Sequence, residues 1–275
     1  MSLYQSVGRV NFLTLLFPLK EIISRRSDAS TAVCKDYSRA EDGQWYAIKG
    51  CNSGDGNLPY PFYVPHSEWF CQSLCECIGL ACPPRRIIER QSKELVFGSR
   101  FEGGVDLSNT FGGVRLDWWH YVHNGKIPID DFIYIFSKLY PFDLFVNNND
   151  RHANNYLVRG QMDGVSFLVF DFSNSWMSNG FPPPSLPMAS GSNTIRLKDQ
   201  FKSCFRGFAV DVQIALDTIT SLRQIPSTKI EAILDSHPQE WLSPGDKEII
   251  LEWWNSDRNS RLDTIEGGLA SGDYL

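Results

Sequence analysis

The feature that most constrains this chain is a change of hydrophobic rhythm near Gly103-Gly104. Before it, apolar residues alternate in short runs bounded by turn residues, the mark of half-buried strands. After it, they recur at helical spacing over long stretches. A strand-rich N-terminal part followed by a larger helical part implies an α+β fold with a cleft between unequal lobes. We place the division at 1–104 and 105–275.

In the first part, strands are expected at Leu19 to Ser24, Thr31 to Tyr37, Trp45 to Lys49, Arg86 to Arg90 and Glu94 to Phe101. Asp42-Gly43 marks a tight hairpin. Residues 51–65 are rich in Gly, Asn and Pro and read as a surface loop. A helix follows, with Ser67 as its N-cap and Phe70, Leu74, Cys77 and Ile78 on its apolar face. Gly79 ends it and Pro83-Pro84 prevents resumption. In the second part, helices are expected at Asp130 to Asn147 and Lys229 to His237. Leu168 to Phe172 reads as a buried strand, and Ser178 to Asn193 as an exposed loop. Ser243-Pro244 should open the final helix, which carries Trp253-Trp254.

Bulk properties exclude several functions. A formal net charge of −6 argues against a broad nucleic-acid footprint. The apolar run from Phe12 to Leu19 is short and broken by Pro18, so no membrane span is expected. Seven cysteines, an odd number, and no leader pattern point to a reduced, cytoplasmic protein. Cys71, Cys75, Cys77 and Cys82 lie close together, but their spacings of four, two and five differ from paired zinc knuckles. They read better as small buried hydrophobes. Within each of Trp118-Trp119 and Trp253-Trp254, one ring should be core and the other half exposed.

Three oxygen-bearing side chains carry the chemistry. Asp150, Asn155 and Asp171 stand in the order that phosphoryl transfer requires. One carboxylate orients the attacking hydroxyl, and hard oxygen ligands hold magnesium. Leu157-Val158 and Phe167 to Phe170 can pair as a hairpin, which brings Asn155 and Asp171 to one end. The plain alternative is a polar turn, since Asn and Asp favour turns. Lys49 ends an alternating strand, and Glu68 sits on the helix that follows. Such a lysine, held by a helix glutamate, anchors nucleotide phosphates; the plain alternative is an exposed strand lysine.

These stretches resemble the HipA-like kinases, atypical Ser/Thr protein kinases distantly similar to phosphatidylinositol kinases. Trp45-Tyr46-Ala47-Ile48-Lys49 resembles the lysine strand of that family. Ser67-Glu68 through Gly79-Leu80-Ala81-Cys82-Pro83-Pro84 resembles its first helix and the turn after it, with Ala81 where the family has proline. Phe97-Gly98-Ser99-Arg100-Phe101 is similar to its hinge strand. Phe142-Asp143 to Asn155 is similar to its Asp-x-His-x-x-Asn loop, and Asp171-Phe172-Ser173 to its metal-binding segment. The likeness runs in order from about residue 17 to residue 255.

The resemblance implies a two-lobed protein-kinase-like fold, with a small β-rich N-lobe and a larger mainly helical C-lobe. It implies ATP and Mg2+ as cofactors and transfer of the γ-phosphate to a protein Ser or Thr hydroxyl. Asp150 would be the base, Asn155 and Asp171 the metal ligands, and Lys49, paired with Glu68, the phosphate contact. The backbone near Ser99 and Phe101 would hold adenine. The segment Ser24 to Thr31, with Ser27 and Ser30, would cover the phosphates, although no Gly-x-Gly-x-x-Gly occurs there. His152 would brace the loop. The serines of 178–193 and Thr194 follow Asp171-Phe172-Ser173 where kinases carry an activation or substrate loop and are candidate phosphorylation sites; the plain alternative is a flexible connector. Implied partners are a protein substrate and a regulatory or antitoxin-type protein, with no nucleic acid and no membrane. The same residues fit two other functions: a kinase for a lipid or small alcohol, and a low-turnover nucleotide-binding regulatory module.

Overall fold

The computed structural model describes residues 17–26, 36–51, 58–101, 114–161, 164–186 and 191–275. Its N-terminal strands are β1 (Leu19–Arg26), β2 (Asp36–Ala40), β3 (Trp45–Lys49), β4 (Arg85–Glu89) and β5 (Leu95–Arg100). They close into a barrel in the order β1-β2-β3-β5-β4. The Asp42-Gly43 hairpin is present: β2 and β3 run antiparallel, and Gly43 takes a φ of +79°. Closure comes from parallel pairing of Leu19 with Ile88 and Lys20 with Glu89. Ala40, Tyr46, Ile48, Ile88 and Val96 form a small buried cluster of their own. Gly98 allows that cluster to close, because a Cβ there would stand 2.8 Å from Ile88 Cγ1.

Helix α1 (Val64–Cys77) starts four residues earlier than expected. Tyr63 is its N-cap, without a side-chain cap, and proline stands in its first turn. Ser67 lies inside the helix and is fully buried; its Oγ accepts the Ser178 amide at 3.0 Å. Twelve of the fourteen residues of α1 are buried. A helix covered on all sides has no polar face, which blurs its periodicity.

The helical part contains α2 (Val114–His123), α3 (Ile129–Phe145), α4 (Asn193–Cys204), α5 (Val212–Arg223), α6 (Ser227–Leu234), α7 (Asp246–Ser256) and α8 (Arg258–Ser271). Between α3 and α4 stands the hairpin of β6 (Tyr156–Gln161) and β7 (Gly164–Val169). The expected strand over Leu168 to Phe172 therefore ends at Val169. One apolar core joins α1 to the helical part. Phe132 anchors it, packed against Trp118, Phe201 and Phe208 at ring separations of 4.8, 4.9 and 5.8 Å.

Several expectations need correction. The tryptophan helix is not the last, since α8 follows it. Trp118 and Trp119 divide as expected, at 1% and 37% exposure. Trp253 and Trp254 are both buried, because α8 and the segment at Phe181 cover them. Arg261 of α8 explains the tight join: its guanidinium donates to the carbonyls of Leu144, Phe145 and Pro184 at 2.6 to 2.8 Å. Leu144 and Phe145 stand at the end of α3, where carbonyls run short of helical partners. Ser178 is fully buried and bonded to the Ser173 and Ser175 carbonyls, so the segment from 178 onward is not simply an exposed loop.

Candidate active site

The helix α3 ends in a Schellman motif: the Asn148 amide reaches the Asp143 carbonyl at 2.8 Å and the Asn147 amide the Leu144 carbonyl at 3.4 Å. Asn147 takes the left-handed conformation this turn requires, with φ +54°. The turn aims residues 148–155 back over the helix end. Asn148 then serves twice. Its Nδ2 donates to Asp143 Oδ1 at 3.0 Å, and its Oδ1 accepts the Asp150 amide at 3.1 Å.

Arg151 locks this loop from beneath. Its Nε and Nη2 donate to the two Asp143 carboxylate oxygens at 2.9 and 3.0 Å, and both residues are 1% exposed. Its Nη1 donates to the Phe170 carbonyl at 2.5 Å, and its guanidinium lies 4.8 Å from the Phe172 ring centroid. Burial pushes the Asp143 carboxyl up, while Arg151 and Asn148 pull it back. The brace of the loop is therefore Arg151. His152, expected to brace the loop, is half-buried, and its carbonyl accepts the Asn155 amide at 2.9 Å.

The β6–β7 hairpin pairs Tyr156 with Val169, and the Phe170 amide donates to the Asn155 carbonyl at 3.3 Å. Asn155 and the Asp171 segment thus share one end of the hairpin, as expected. The Asn155 amide nitrogen donates to the Asp150 carbonyl at 3.1 Å, which fixes which way its Oδ1 faces. Asp171 sits at φ +65°, a left-handed conformation that Asp tolerates better than most residues.

Lys49 links the barrel to the rest of the site. It is buried at the end of β3, and its Nζ lies 2.5 Å from Glu68 Oε1, 2.8 Å from Asp171 Oδ1 and 2.7 Å from Ser173 Oγ. Glu68, on α1, is 1% exposed. The same Glu68 oxygen accepts the Phe172 amide and the Ser173 hydroxyl, each at 2.9 Å. Burial alone would lower the Lys49 pKa, but Asp171 and Glu68 outweigh it and hold the ammonium charged. Burial alone would raise Asp171; Lys49 reverses this and holds it well below the usual carboxylate range. The Asp171 side chain remains 32% exposed, so an ionised carboxylate is presented at the surface of the site.

Lys49 thus joins Glu68 to Asp171, Asn155 joins Asp150, and the backbone bond from Phe170 to Asn155 ties the two sets together. Ser99 lies near the end of β5, paired with Ala47 on one side and Arg85 on the other, and the Phe101 amide donates to the Trp45 carbonyl at 2.7 Å. Ser27 and Ser30 lie outside the described residues. Sequence reading missed Arg151, Ser173 and the role of Asp143. The signal for Arg151 was its place directly after Asp150, eight residues from an acid at a helix end. Thr194 is 2% exposed, and its hydroxyl bonds to the Asn148 carbonyl and the Arg151 amide, so in this fold it is not presented for phosphorylation. Cys71 and Cys75 are core residues whose thiols burial pushes up.

The HipA-like kinase profile matches residues 19–181, more than half of the chain. The chain belongs to the HipA-like kinase family. Among solved structures, the Helicobacter pylori proinflammatory kinase CtkA aligns with a TM-score of 0.56 at 14% identity, covering 92% of this chain and 98% of that one. At that identity the likeness shows a shared fold. HipA of Shewanella oneidensis MR-1, solved with HipB and operator DNA in a toxin–antitoxin system, aligns with a TM-score of 0.48 at 12% identity. That alignment covers 82% of this chain and 59% of that one. No match was found among the curated proteins. Family membership supports a kinase role. Among the described residues, no helix is long and apolar enough to cross a membrane.

Proposed function

We propose that this chain is a Mg-ATP-dependent kinase that transfers the γ-phosphate to a Ser or Thr hydroxyl of a protein. The observation that carries this is Lys49 bonded at once to Glu68 and Asp171, which ties the barrel to the metal-binding segment. In this reading the barrel is the N-lobe, the helices from α2 onward are the C-lobe, and ATP lies between them. Lys49 moves part of its charge from Asp171 to the nucleotide phosphates, while Glu68 keeps it in place.

The donor set fits magnesium. Asp171 is ionised and partly exposed, and the Asn155 amide is oriented by the Asp150 carbonyl. A carboxylate and an amide oxygen are the hard ligands this ion takes. When bound, the ion would neutralise charge on the phosphates. Asp150 orients the acceptor hydroxyl and accepts its proton. Arg151 and Asp143 keep Asp150 and Asn155 in register with Asp171. Catalysis is then mostly positioning and charge neutralisation. A cytoplasmic setting, where the free cysteines stay reduced, and a regulatory or antitoxin-type partner belong to the same reading.

The test is mass spectrometry of phosphosites after incubation of the purified chain with ATP, magnesium and cell extract. Asp150→Ala should abolish transfer while leaving the melting temperature within about 2 °C, since Asp150 is only half-buried. An Asp150→Ala protein as fast as the wild type would remove the assigned base. Phosphate found only on lipid or small alcohols would reassign the acceptor.

A further inference from the structure

Helix α4 begins immediately over the loop that holds Asp150, and its first two residues grip that loop. Ser192 caps the helix, its side chain accepting the Ile195 amide at 3.3 Å. The Asn193 amide, free of helical obligations at this end, donates to the Asn149 carbonyl at 2.9 Å. The Asn193 side chain donates from Nδ2 to Asp150 Oδ1 at 2.6 Å. Thr194 gives its hydroxyl proton to the Asn148 carbonyl and accepts the Arg151 amide at 3.2 Å. Every residue from Asn148 to Arg151 is therefore held by one of two adjacent residues of α4.

We infer that Asn193 and Thr194 are positioning residues for phosphoryl transfer, Asn193 acting through the Asp150 carboxylate and Thr194 through the loop backbone. The inference rests on the kinase reading above. Asp150 has its amide held by Asn148 and its carbonyl by Asn155. The remaining freedom is rotation of the carboxylate, and Asn193 stops it. With Oδ1 occupied, Oδ2 becomes the oxygen that receives the acceptor hydroxyl. Asn193 is exposed and Thr194 is buried, so the first lies on the approach of the acceptor and the second supports from behind.

The experiment uses the full chain with radiolabelled ATP and two acceptors, dephosphorylated casein and water. Asn193→Ala should lower kcat about tenfold, the scale of one hydrogen bond to a charged group, with KM for ATP within about twofold. Asn193→Asp keeps the shape but sets a second carboxylate against the first, and should fall below Asn193→Ala. Asn193→Ser restores a donor and should recover part of kcat. A purely structural role would lower the melting temperature without that order. Hydrogen exchange of 147–155 should quicken in Thr194→Val and in Asn193→Ala. Wild-type kcat in both Asn193→Ala and Asn193→Asp, or unchanged exchange in both variants, overturns the inference. If the wild-type chain transfers phosphate to neither acceptor nor to any protein of the cell extract, the kinase reading fails by itself, and the exchange measurement alone decides the clamp.

Discussion

Removing Arg151 should separate stability from catalysis. In the folded chain Arg151 makes two bonds to Asp143 and one to the Phe170 carbonyl, and it lies against the Phe172 ring. Arg151→Met fills much of the space but leaves Asp143, 1% exposed, with Asn148 as its remaining side-chain donor. Breaking a buried pair on one side costs about 3–5 kcal/mol, because the surviving charge stays buried. For a chain of this length, that amounts to a fall of about 10 °C in melting temperature. The double variant Asp143→Leu, Arg151→Met has no charge left to bury and should regain most of the loss. Its phosphate transfer should not return, because the Arg151 bond that ties the Phe170 carbonyl, next to Asp171, to the loop is gone. Urea unfolding gives the stabilities, and transfer from radiolabelled ATP gives the activity. Two results would refute the reasoning. A loss under about 1 kcal/mol in Arg151→Met would mean the pair does not brace the loop. Transfer at the wild-type rate in the double variant would mean the brace has no part in catalysis.

Two further outcomes follow from the same geometry. Asp171→Asn should abolish the rise in melting temperature that Mg-ATP gives the wild type; at a hundredfold excess over Kd, that rise corresponds to about 2.7 kcal/mol. An equal rise in both proteins would place the metal elsewhere. The second concerns His66 and His237, buried with Nδ1 of the first 3.0 Å from Nε2 of the second. Burial pushes His237 down to about 4, against the Pro238 carbonyl and Asp235, which oppose the shift. The unfolded chain takes up this proton near pH 6.5 and the folded chain only near 4, so stability rises with pH across that window. Up to about 3 kcal/mol present above this window should be lost on acidification through it. His237→Gln should flatten the pH dependence of the urea midpoint, and an unaltered slope would contradict the assignment.

The parts of the site legible in sequence were those written locally. Lys49 closes an alternating strand, Asp150 and Asn155 lie five residues apart, and Asp171 ends a hairpin whose turn is visible. Contacts between distant segments left no such mark. The parallel pairing of Leu19 with Ile88 closes the barrel, yet neither run announces the other. Ser67 matched an N-cap by residue type, but its hydroxyl serves the Ser178 amide, 111 positions away. Ser178 to Asn193 has the composition of an exposed loop, while its first residue is buried by bonds to Ser173 and Ser175. Composition reports the average preference of a segment, and one buried hydroxyl is enough to defeat it.

The run Asn147-Asn148-Asn149 shows why residue type and position must be read together. As a polar turn it would be interchangeable with other turn sequences. In the structure its members do three different things. Asn147 takes the left-handed position that ends α3. Asn148 bonds both Asp143 and the Asp150 amide. Asn149 accepts the amide of Asn193 through its carbonyl and donates its own amide to the Asn174 carbonyl at 3.1 Å. Asn148 engages both functions of its side-chain amide, one donating and one accepting. An aspartate there would meet the Asp143 carboxylate with a like charge in a buried setting. A serine would be too short to span both partners. The identity of the residue is therefore fixed by the ion pair beneath it, and the position of the Asp150 backbone by that residue in turn.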